Sequence, residues 1–332
     1  MNFDASPWNL RRVGVIGAGA MGLSLAAVLG TQVPVVVVCR NAQRAERLRH
    51  EGATVCGRIV AHSRPAVVEN AADLVRGGGV SAIFVATKTT AIDAVAAELA
   101  PLITSLGDQP SAPFLVSFQN GIEPGRQLIA SLKDPRVLRM VLDYGARLRD
   151  DGVVEVLASN PPHLLGCLDP AYAGVCSILA GALSAGGLHT QTVADIEPHV
   201  WRKGIVNAAM NPVAALTDAS VGEVLDSPAR DIVERLVNEG MEVALAEGID
   251  LGADARARIW RIIEGARPHT PSMVQDIRAG RQSEVGQLNR QVIAHAKRLG
   301  VLAPTHEMIT ALIAAFDWRV FCRSSQLIPL AV

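Results

Sequence analysis

A glycine-rich turn near the start of the chain limits the fold more than any other stretch. An apolar run that ends at Ile16 leads directly into a GxGxxG pattern, and an Ala- and Leu-rich segment continues to Leu29. The pattern consists of Gly17, Ala18, Gly19, Ala20, Met21 and Gly22. Strand, glycine turn and helix in this order are the context in which the pattern binds a dinucleotide. The sequence therefore predicts an α/β fold that begins with a Rossmann domain.

The three glycines of this pattern have separate physical roles. Gly17 allows the tight turn, Gly19 lets the backbone approach a pyrophosphate, and Gly22 lets the helix pack closely on the strand. The helix N-terminus then presents free N–H groups to the phosphates. A glycine-rich turn without a ligand is the alternative, and the surrounding strand and helix favour dinucleotide binding over it.

The end of the next predicted strand, Val33–Cys39, indicates which dinucleotide is bound. NAD-binding domains usually carry an acid there, roughly 20 residues after the glycines, for the ribose 2′-hydroxyl. This chain has Arg40 instead, followed by Arg44 and Arg47, and no neighbouring acid that would repel a 2′-phosphate. Because a guanidinium pairs bidentately with phosphate, the sequence favours NADP(H) over NAD(H). An ordinary surface arginine in an arginine-rich chain is the alternative.

Two later predicted strands end in polar side chains. The run Ser81–Lys88 has Lys88 at its carboxyl end, and Pro113–Gly121 has Asn120 near its own. Open parallel sheets bind their ligands at the carboxyl ends of the strands, so we expect Lys88 and Asn120 to line a cofactor or substrate. An Asn-Gly pair is also an ordinary turn signal.

The β pattern stops near Asp195. Short β-like runs at 137–142, 152–158 and 163–168 are predicted to extend the sheet as antiparallel strands. The segments after Asp195 are helical in pattern: 197–216, 229–247, 253–264, 271–279, 284–299 and 305–323. We therefore predict an NADP-binding Rossmann domain over residues 1–195 and an all-α substrate domain over residues 196–332.

Composition excludes several other classes of protein. The formal net charge of −1 gives no electrostatic reason to bind nucleic acid or an anionic membrane. Apolar runs are shorter than a membrane span, and Met1–Leu10 lacks the pattern of a signal peptide. The five cysteines form no CxxC pair, which predicts reduced thiols in a cytoplasmic protein without a metal site.

The stretch Trp201–Pro212 carries the candidate chemistry of the second domain. Lys203, Asn207 and Asn211 are spaced i, i+4 and i+8, so they share one helix face, and the residues between them are mainly apolar. A buried ammonium or amide is costly unless it is paired, which favours a polar stripe that faces a pocket. Only four of the 31 basic side chains are lysines. A lysine, unlike an arginine, can release its proton, so Lys203 is a candidate proton donor. Amides that cap a loop and a lysine that reaches solvent are the alternative.

Two further segments carry candidate polar groups. Thr270 is a plausible helix N-cap and Pro271 suits the first helical position, which places Ser272 in the first turn. A hydroxyl beside free N–H groups can bind a carboxylate. Glu284 begins the next predicted helix, and its alternative role is to complement that helix dipole.

With these residues in view, the chain resembles the ketopantoate reductase (2-dehydropantoate 2-reductase) family over essentially its full length. The motifs that carry the resemblance are Gly17–Gly22, Lys88, Gln119–Gly121, Trp201–Pro212, Pro271–Arg278 and Ser283-Glu284. The resemblance implies a Rossmann domain followed by a 6-phosphogluconate-dehydrogenase-like helical domain, with the active site in the cleft between them. It also implies NADPH-dependent reduction of ketopantoate to pantoate, for pantothenate synthesis, and leaves a homodimer open.

The family resemblance also implies a role for each candidate residue. Lys203 would be the general acid that protonates the developing alkoxide, and Glu284 would bind the substrate's hydroxyl. Asn207, Asn211 and Ser272 would hold the substrate, with Ser272 at its carboxylate. Asn120 and Lys88 would line the cofactor side, with Asn120 also near the substrate, and Arg40 would hold the 2′-phosphate.

Two departures from the family pattern concern the substrate. Met140–Ala146 stands where many members have a polar segment that contains threonine, and His269-Thr270 stands where an asparagine is sometimes found. Both segments would border the substrate. One alternative is therefore reduction of another 2-oxo acid, or oxidation of a 3-hydroxy acid, on the same fold. A non-enzymatic NADPH sensor is a second alternative, but it predicts loss of the proton donor, and Lys203 is present.

Overall fold

The computed structural model describes residues 8–74, 79–107, 109 and 111–322, with side chains as far as residue 320. Most of the N-terminal lead-in, residues 1–7, and the last residue of the helix expected at 305–323 lie outside the described residues. The chain forms two compact units. The first comprises the residues up to Gln119 together with Pro124–Ile196, and the second comprises Asn120–Glu123 and the residues from Glu197 onward. Nothing in the sequence indicated that Asn120–Glu123 packs with the second unit.

The first unit contains two β-sheets. Its strands are β1 Val13–Ile16, β2 Val35–Val38, β3 Ala53–Gly57, β4 Ala61–Ser63, β5 Ala66–Val68, β6 Ala82–Val85, β7 Phe114–Ser117, β8 Val137–Val141, β9 Tyr144–Leu148, β10 Val154–Ser159, β11 His163–Cys167 and β12 Thr190–Thr192. The larger sheet has the order β12-β11-β8-β7-β6-β1-β2-β5 and is parallel except between β8 and β11. The smaller sheet has the order β4-β3-β10-β9. The predicted Rossmann-type parallel sheet is confirmed.

Helices cover both faces of the larger sheet, which explains its uniformly apolar strands. They are α1 Ala20–Leu29, α2 Ala42–Glu51, α3 Ile92–Leu106, α4 Pro124–Leu132 and α5 Ala173–Ala185. All four valines of β2 are buried, as expected of a strand that is covered on both sides. The helices α1 and α5 contribute to one core, and α3 and α4 contribute to the core on the opposite face.

The expected antiparallel extension of the sheet is partly wrong. Strand β11 does pair antiparallel with β8 in the larger sheet. Strand β10, however, lies in the smaller sheet, where it pairs parallel with β3 and antiparallel with β9, a strand the sequence did not predict. Alternation along a strand indicates which face is buried and does not identify the pairing partner, so the pattern of β10 could not show which sheet the strand joins.

The helical segment Thr89–Leu106 corrects one expectation from composition. By length and composition alone it is apolar enough to cross a membrane, and it begins with a 3-10 turn at Thr89–Ala91 that leads into α3. Within the first unit, one side of this segment packs in the core through Ile92, Val95 and Leu99. The apolar character of α3 therefore has a structural reason in the packing of the unit.

The second unit contains helices and, among its described residues, no strand, as predicted. Its helices are α6 Glu197–Thr217, α7 Val221–Leu225, α8 Arg230–Ala246, α9 Ala255–Gly265, α10 Ser272–Arg278, α11 Asn289–Leu299 and α12 Pro304–Asp317. Helix α6 lies at the centre and contacts α8, α9, α10 and α12. The short helix α7 was not predicted, although Ser220 and Glu223 form a complete capping box at its start.

Candidate active site

The glycine loop joins β1 to α1 in the first unit. Gly17 has a φ of +111°, and a Cβ on it would lie 3.0 Å from the backbone of Ala86, just after β6. A Cβ on Gly22 would lie 1.9 Å from the carbonyl oxygen of Gly17. Gly19 differs, because among the described residues a Cβ there would meet nothing within 4 Å and no side chain caps the helix that follows. Open space before an uncapped helix N-terminus fits the pyrophosphate of a dinucleotide.

These glycine environments give a matched pair of variants. Gly22→Ala forces a methyl group onto backbone, so we expect it to destabilise the protein by about 3 kcal/mol or more. Gly19→Ala is expected to leave stability unchanged, since its φ of −86° suits alanine, but to weaken NADPH binding. Thermal unfolding and fluorescence titration with NADPH measure the two effects. Unchanged NADPH affinity in Gly19→Ala would remove the loop as the pyrophosphate site.

The environment of Arg40 differs from the one that the sequence suggested. Arg40 lies two residues after the end of β2, and its exposed guanidinium pairs with the carboxylate of Glu98 on α3. The other oxygen of Glu98 accepts the N–H of Ala71 at 2.7 Å. The expectation that no acid lies near Arg40 is therefore wrong. Glu98 is 58 residues away along the chain, so reading the residues next to Arg40 could not find it.

A second guanidinium lies directly at the glycine loop. Arg44, in the first turn of α2, donates to the carbonyl oxygen of Ala18 at 3.1 Å. The preceding Asn41 caps α2 by accepting the N–H of Arg44 at 2.8 Å. The sequence noted Arg44 as a neighbour of Arg40 and gave it no role of its own.

Lys88 lies at the carboxyl side of β6, as predicted. Its side chain is exposed, and it immediately precedes the 3-10 turn Thr89–Ala91. The backbone N–H of the adjacent Thr87 would lie 3.1 Å from a Cβ on Gly17, so this strand end adjoins the glycine loop. The hydroxyl of Thr87 is buried and has no hydrogen-bond partner among the described residues. The donor groups at this sheet edge fit a polar cofactor.

In the second unit, α6 carries the predicted polar stripe. Lys203 and Asn207 are half-buried and Asn211 is buried, with 6% of its surface exposed. The remaining circumference is largely buried through Trp201, Gly204, Ile205, Ala208 and Ala209. Asn207 Nδ2 donates to Asn120 Oδ1 at 3.4 Å. Two candidate residues that are 87 positions apart in the chain thus meet.

The environment of Ser272 departs from the sequence expectation in one detail. The N-cap of α10 is Pro271, so Thr270 lies one residue before the cap, and its carbonyl oxygen accepts Gln275 Nε2 at 2.8 Å. Ser272 is the first helical residue and its side chain is exposed. The N-cap is Pro271 because its ψ of 151° is extended, as the backbone of an N-cap residue is, and the helical conformation begins only at Ser272.

Glu284 is buried at a turn and does not begin a continuous helix. The segment Val285–Gln287 is a 3-10 turn, and Leu288, with φ of −112° and ψ of −84°, separates it from α11. The neighbouring Ser283 donates its hydroxyl to Asp317 of α12 at 2.6 Å. The expected helix 284–299 is therefore wrong over its first turn, and the contact with α12 fixes the backbone that carries Glu284.

The unusual segment Met140–Ala146 is largely structural. Met140 and Leu142 are 1% and 2% exposed and belong to the core of the first unit. Tyr144 packs edge-on against His163 with a ring separation of 6.0 Å, and burial raises the pKa of its hydroxyl. Met140 and Leu142 are therefore explained by packing, and Asp143 is the exposed member of the segment.

Sequence reasoning missed a cluster on α11. Gln291 Oε1 accepts the backbone N–H groups of Ile122 and Glu123 at 2.8 and 3.2 Å. One turn later, the two ring nitrogens of His295 bind Glu123 and Glu247, each at 2.7 Å. The side chain of Arg298 also pairs with Glu247. No local pattern marks this cluster, because its members come from three separate parts of the chain.

The two carboxylates make His295 sensitive to pH. The hydrogen bond to Glu123, joined by the bond to Glu247, raises the pKa of His295 above its ordinary value of 6.5 despite its partial burial. Proton binding therefore favours the folded state. The stabilisation is complete below pH 6.5 and is lost as the pH rises through the raised pKa.

We expect His295→Gln to lower the free energy of unfolding by about 1–2 kcal/mol at pH 6, the range for hydrogen bonds to charged groups with some screening by solvent. The difference from the wild type should shrink as the pH rises toward 9. Urea unfolding of both proteins across this range measures it. A difference that stays constant with pH would show that the proton on His295 does not stabilise the fold.

Comparison with known proteins supports the same architecture. The sequence model of the family ketopantoate reductase PanE/ApbA matches residues 13–170. The family's C-terminal sequence model matches residues 195–317. The 2-dehydropantoate 2-reductase of Archaeoglobus fulgidus is 27% identical, over 93% of this chain and 98% of that protein.

Solved structures show the likeness in fold. The PanE/ApbA family ketopantoate reductase from Ralstonia eutropha has a TM-score of 0.81 at 21% identity, over 93% of this chain and 99% of that one. D-mandelate dehydrogenase with NADH and anilino(oxo)acetate has a TM-score of 0.82 at 23% identity, with the same coverage. Because the N-terminal and C-terminal models of one family match most of the chain, in the order of its two units, this chain belongs to the ketopantoate reductase family.

Proposed function

We propose that the chain catalyses the NADPH-dependent reduction of 2-dehydropantoate to pantoate, with Lys203 as general acid. The observation that carries the proposal is the polar stripe of α6, where Lys203 lies one turn before Asn207 and Asn207 contacts Asn120. The relatives named 2-dehydropantoate 2-reductase align over nearly the full length of the chain, which supports this substrate.

The proposal assigns the cofactor mainly to residues of the first unit. The open space at Gly19 and the uncapped start of α1 would receive the pyrophosphate. Arg40 would pair with the 2′-phosphate, and Lys88 and Asn120 would line the cofactor side. NADPH supplies a hydride to the C2 carbonyl carbon. The free thiols of the described cysteines at positions 39, 56, 167 and 176 support a cytoplasmic setting.

The proposal assigns the substrate to residues of the second unit. As the carbonyl carbon gains hydride, negative charge builds on its oxygen, and the Lys203 ammonium would stabilise this charge and then donate its proton. Asn207 and Asn211 would present amide donors one and two turns along the same helix face. Ser272 would bind the substrate's carboxylate, and Glu284 would accept a hydrogen bond from the substrate's hydroxyl.

A panel of 2-oxo acids tests the choice of substrate. Ketopantoate should be turned over far faster than 3-methyl-2-oxobutanoate, which lacks its hydroxyl group, because a site built to hydrogen-bond a substrate hydroxyl discriminates strongly against an analogue without it. Phenylglyoxylate belongs in the panel, since a D-mandelate dehydrogenase shares the fold. Equal turnover of the first two acids would contradict the role of Glu284. Turnover of phenylglyoxylate alone would assign the chain to another 2-oxo acid.

A further inference from the structure

We propose that Gln291 and His295 of α11 are positioning residues that fix Asn120 for binding and catalysis. The proposal deepens the function proposed above and rests on it, because it takes Asn120 to line the cofactor and the substrate. Neither side chain belongs to the candidate residues that the sequence identified. Both act on Asn120–Glu123, the short segment that lies between β7 and α4 in the chain and packs with the second unit.

Gln291 holds the backbone of this segment directly. Its side-chain oxygen accepts two consecutive N–H groups, those of Ile122 and Glu123, at 2.8 and 3.2 Å. Its Nε2 donates to Gln287 Oε1 at 3.1 Å, which fixes the orientation of the amide. Because both ends of the amide are bonded, Gln291 is a rigid support for the segment.

His295 holds the same segment through a side chain. Its ring bonds Glu123 on one side and Glu247, at the end of α8, on the other. The ring also packs edge-to-face with that of Trp201, with the ring centroids 5.0 Å apart. The charged groups around the ring are Glu123, Glu247 and Arg298. Only the protonated ring can donate from both nitrogens, so only in that state does it donate to Glu123 and Glu247 at the same time.

The segment has almost no room to move between these supports and α6. Gly121 has a φ of +98°, and a Cβ on it would lie 2.4 Å from the carbonyl oxygen of Gln287. A Cβ on Gly204 of α6 would lie 2.8 Å from the Ile122 side chain. At the start of the segment, Asn120 Oδ1 accepts from Asn207 at 3.4 Å.

These contacts determine the direction of the Asn120 amide. Because its oxygen accepts from Asn207, its Nδ2 donors point the opposite way. Donors that are fixed before the reaction stabilise developing charge better than mobile ones, and a displacement of 1 Å can cost on the order of a hundredfold in rate. The network on α11 therefore acts on the reaction through the placement of Asn120.

A double-mutant cycle tests the proposal with the full chain. The variants are Asn120→Ala, Gln291→Ala and the combination, with Lys297→Ala as the control, since Lys297 is an exposed residue of the same helix. The readouts are kcat with ketopantoate and the Kd of NADPH by fluorescence. We expect Gln291→Ala to impair one or both by roughly ten- to a hundredfold when Asn120 is present, and by under about twofold when it is absent.

Two outcomes would overturn the proposal: equal effects of Gln291→Ala with and without Asn120, or no effect of Gln291→Ala at all. If Gln291→Ala does not fold, His295→Gln replaces it in the same cycle. If the wild type reduces no 2-oxo acid, the proposed function fails. The double-mutant cycle, measured as the Kd of NADPH, then still decides whether Gln291 acts through Asn120.

Discussion

The Lys203→Ala variant is expected to lose roughly two to four orders of magnitude in kcat, the usual contribution of general acid catalysis. NADPH should bind it as tightly as it binds the wild type, because Lys203 is assigned to the substrate's carbonyl group and not to the cofactor. The fold should be retained, since Lys203 is only half-buried and its neighbours Trp201 and Ile205 provide the packing of this turn. Stopped-flow or steady-state oxidation of NADPH measures the loss.

Lys203→Arg separates proton donation from electrostatic attraction. The guanidinium keeps the positive charge but does not release its proton near neutral pH. If the proton matters, this variant should remain far below the wild type. The surface variant Lys297→Ala controls for the general effect of removing a lysine and should keep full activity. Wild-type turnover in Lys203→Ala would remove Lys203 from the mechanism.

The Arg40→Ala variant is expected to weaken NADPH by about ten- to a hundredfold, which corresponds to the loss of a hydrogen-bonded charge pair of about 1.5–3 kcal/mol. The affinity for NADH should barely change, because NADH lacks the 2′-phosphate. Fluorescence titration with both nucleotides gives the ratio directly. The control is Arg149→Ala, which removes an exposed arginine paired with Asp151.

Glu98 makes the test of Arg40 more discriminating. The carboxylate of Glu98 neutralises part of the Arg40 charge and would repel an incoming phosphate. Glu98→Gln keeps an oxygen for the Ala71 N–H and removes the negative charge, so it should strengthen NADPH binding by a few fold. If both variants change the affinities for NADPH and NADH equally, neither residue interacts with the 2′-phosphate.

The features that were predicted from the sequence depend on local patterns. The glycine loop could be predicted because strand, turn and helix lie within residues 13–29. The stripe of Lys203, Asn207 and Asn211 could be predicted because helical periodicity alone places these residues on one face. Both predictions needed only neighbours in the chain.

The features that were missed depend on contacts between distant residues. Glu98 reaches Arg40 across 58 positions, and Gln291 reaches Ile122 across 169. The fold decides which distant groups meet, and no spacing rule in one sequence contains that information. The break at Leu288 was missed for a related reason, since the contact between Ser283 and Asp317 of α12 holds the turn that precedes it.

One measurement tests the central claim most directly: the oxidation of NADPH by the wild-type chain with ketopantoate, followed by chromatographic identification of the product. The expected result is saturable turnover with one pantoate formed for each NADPH consumed, and slower turnover with NADH. Tight binding of NADPH without its oxidation by any 2-oxo acid would contradict the enzymatic function and would favour a protein that senses NADPH.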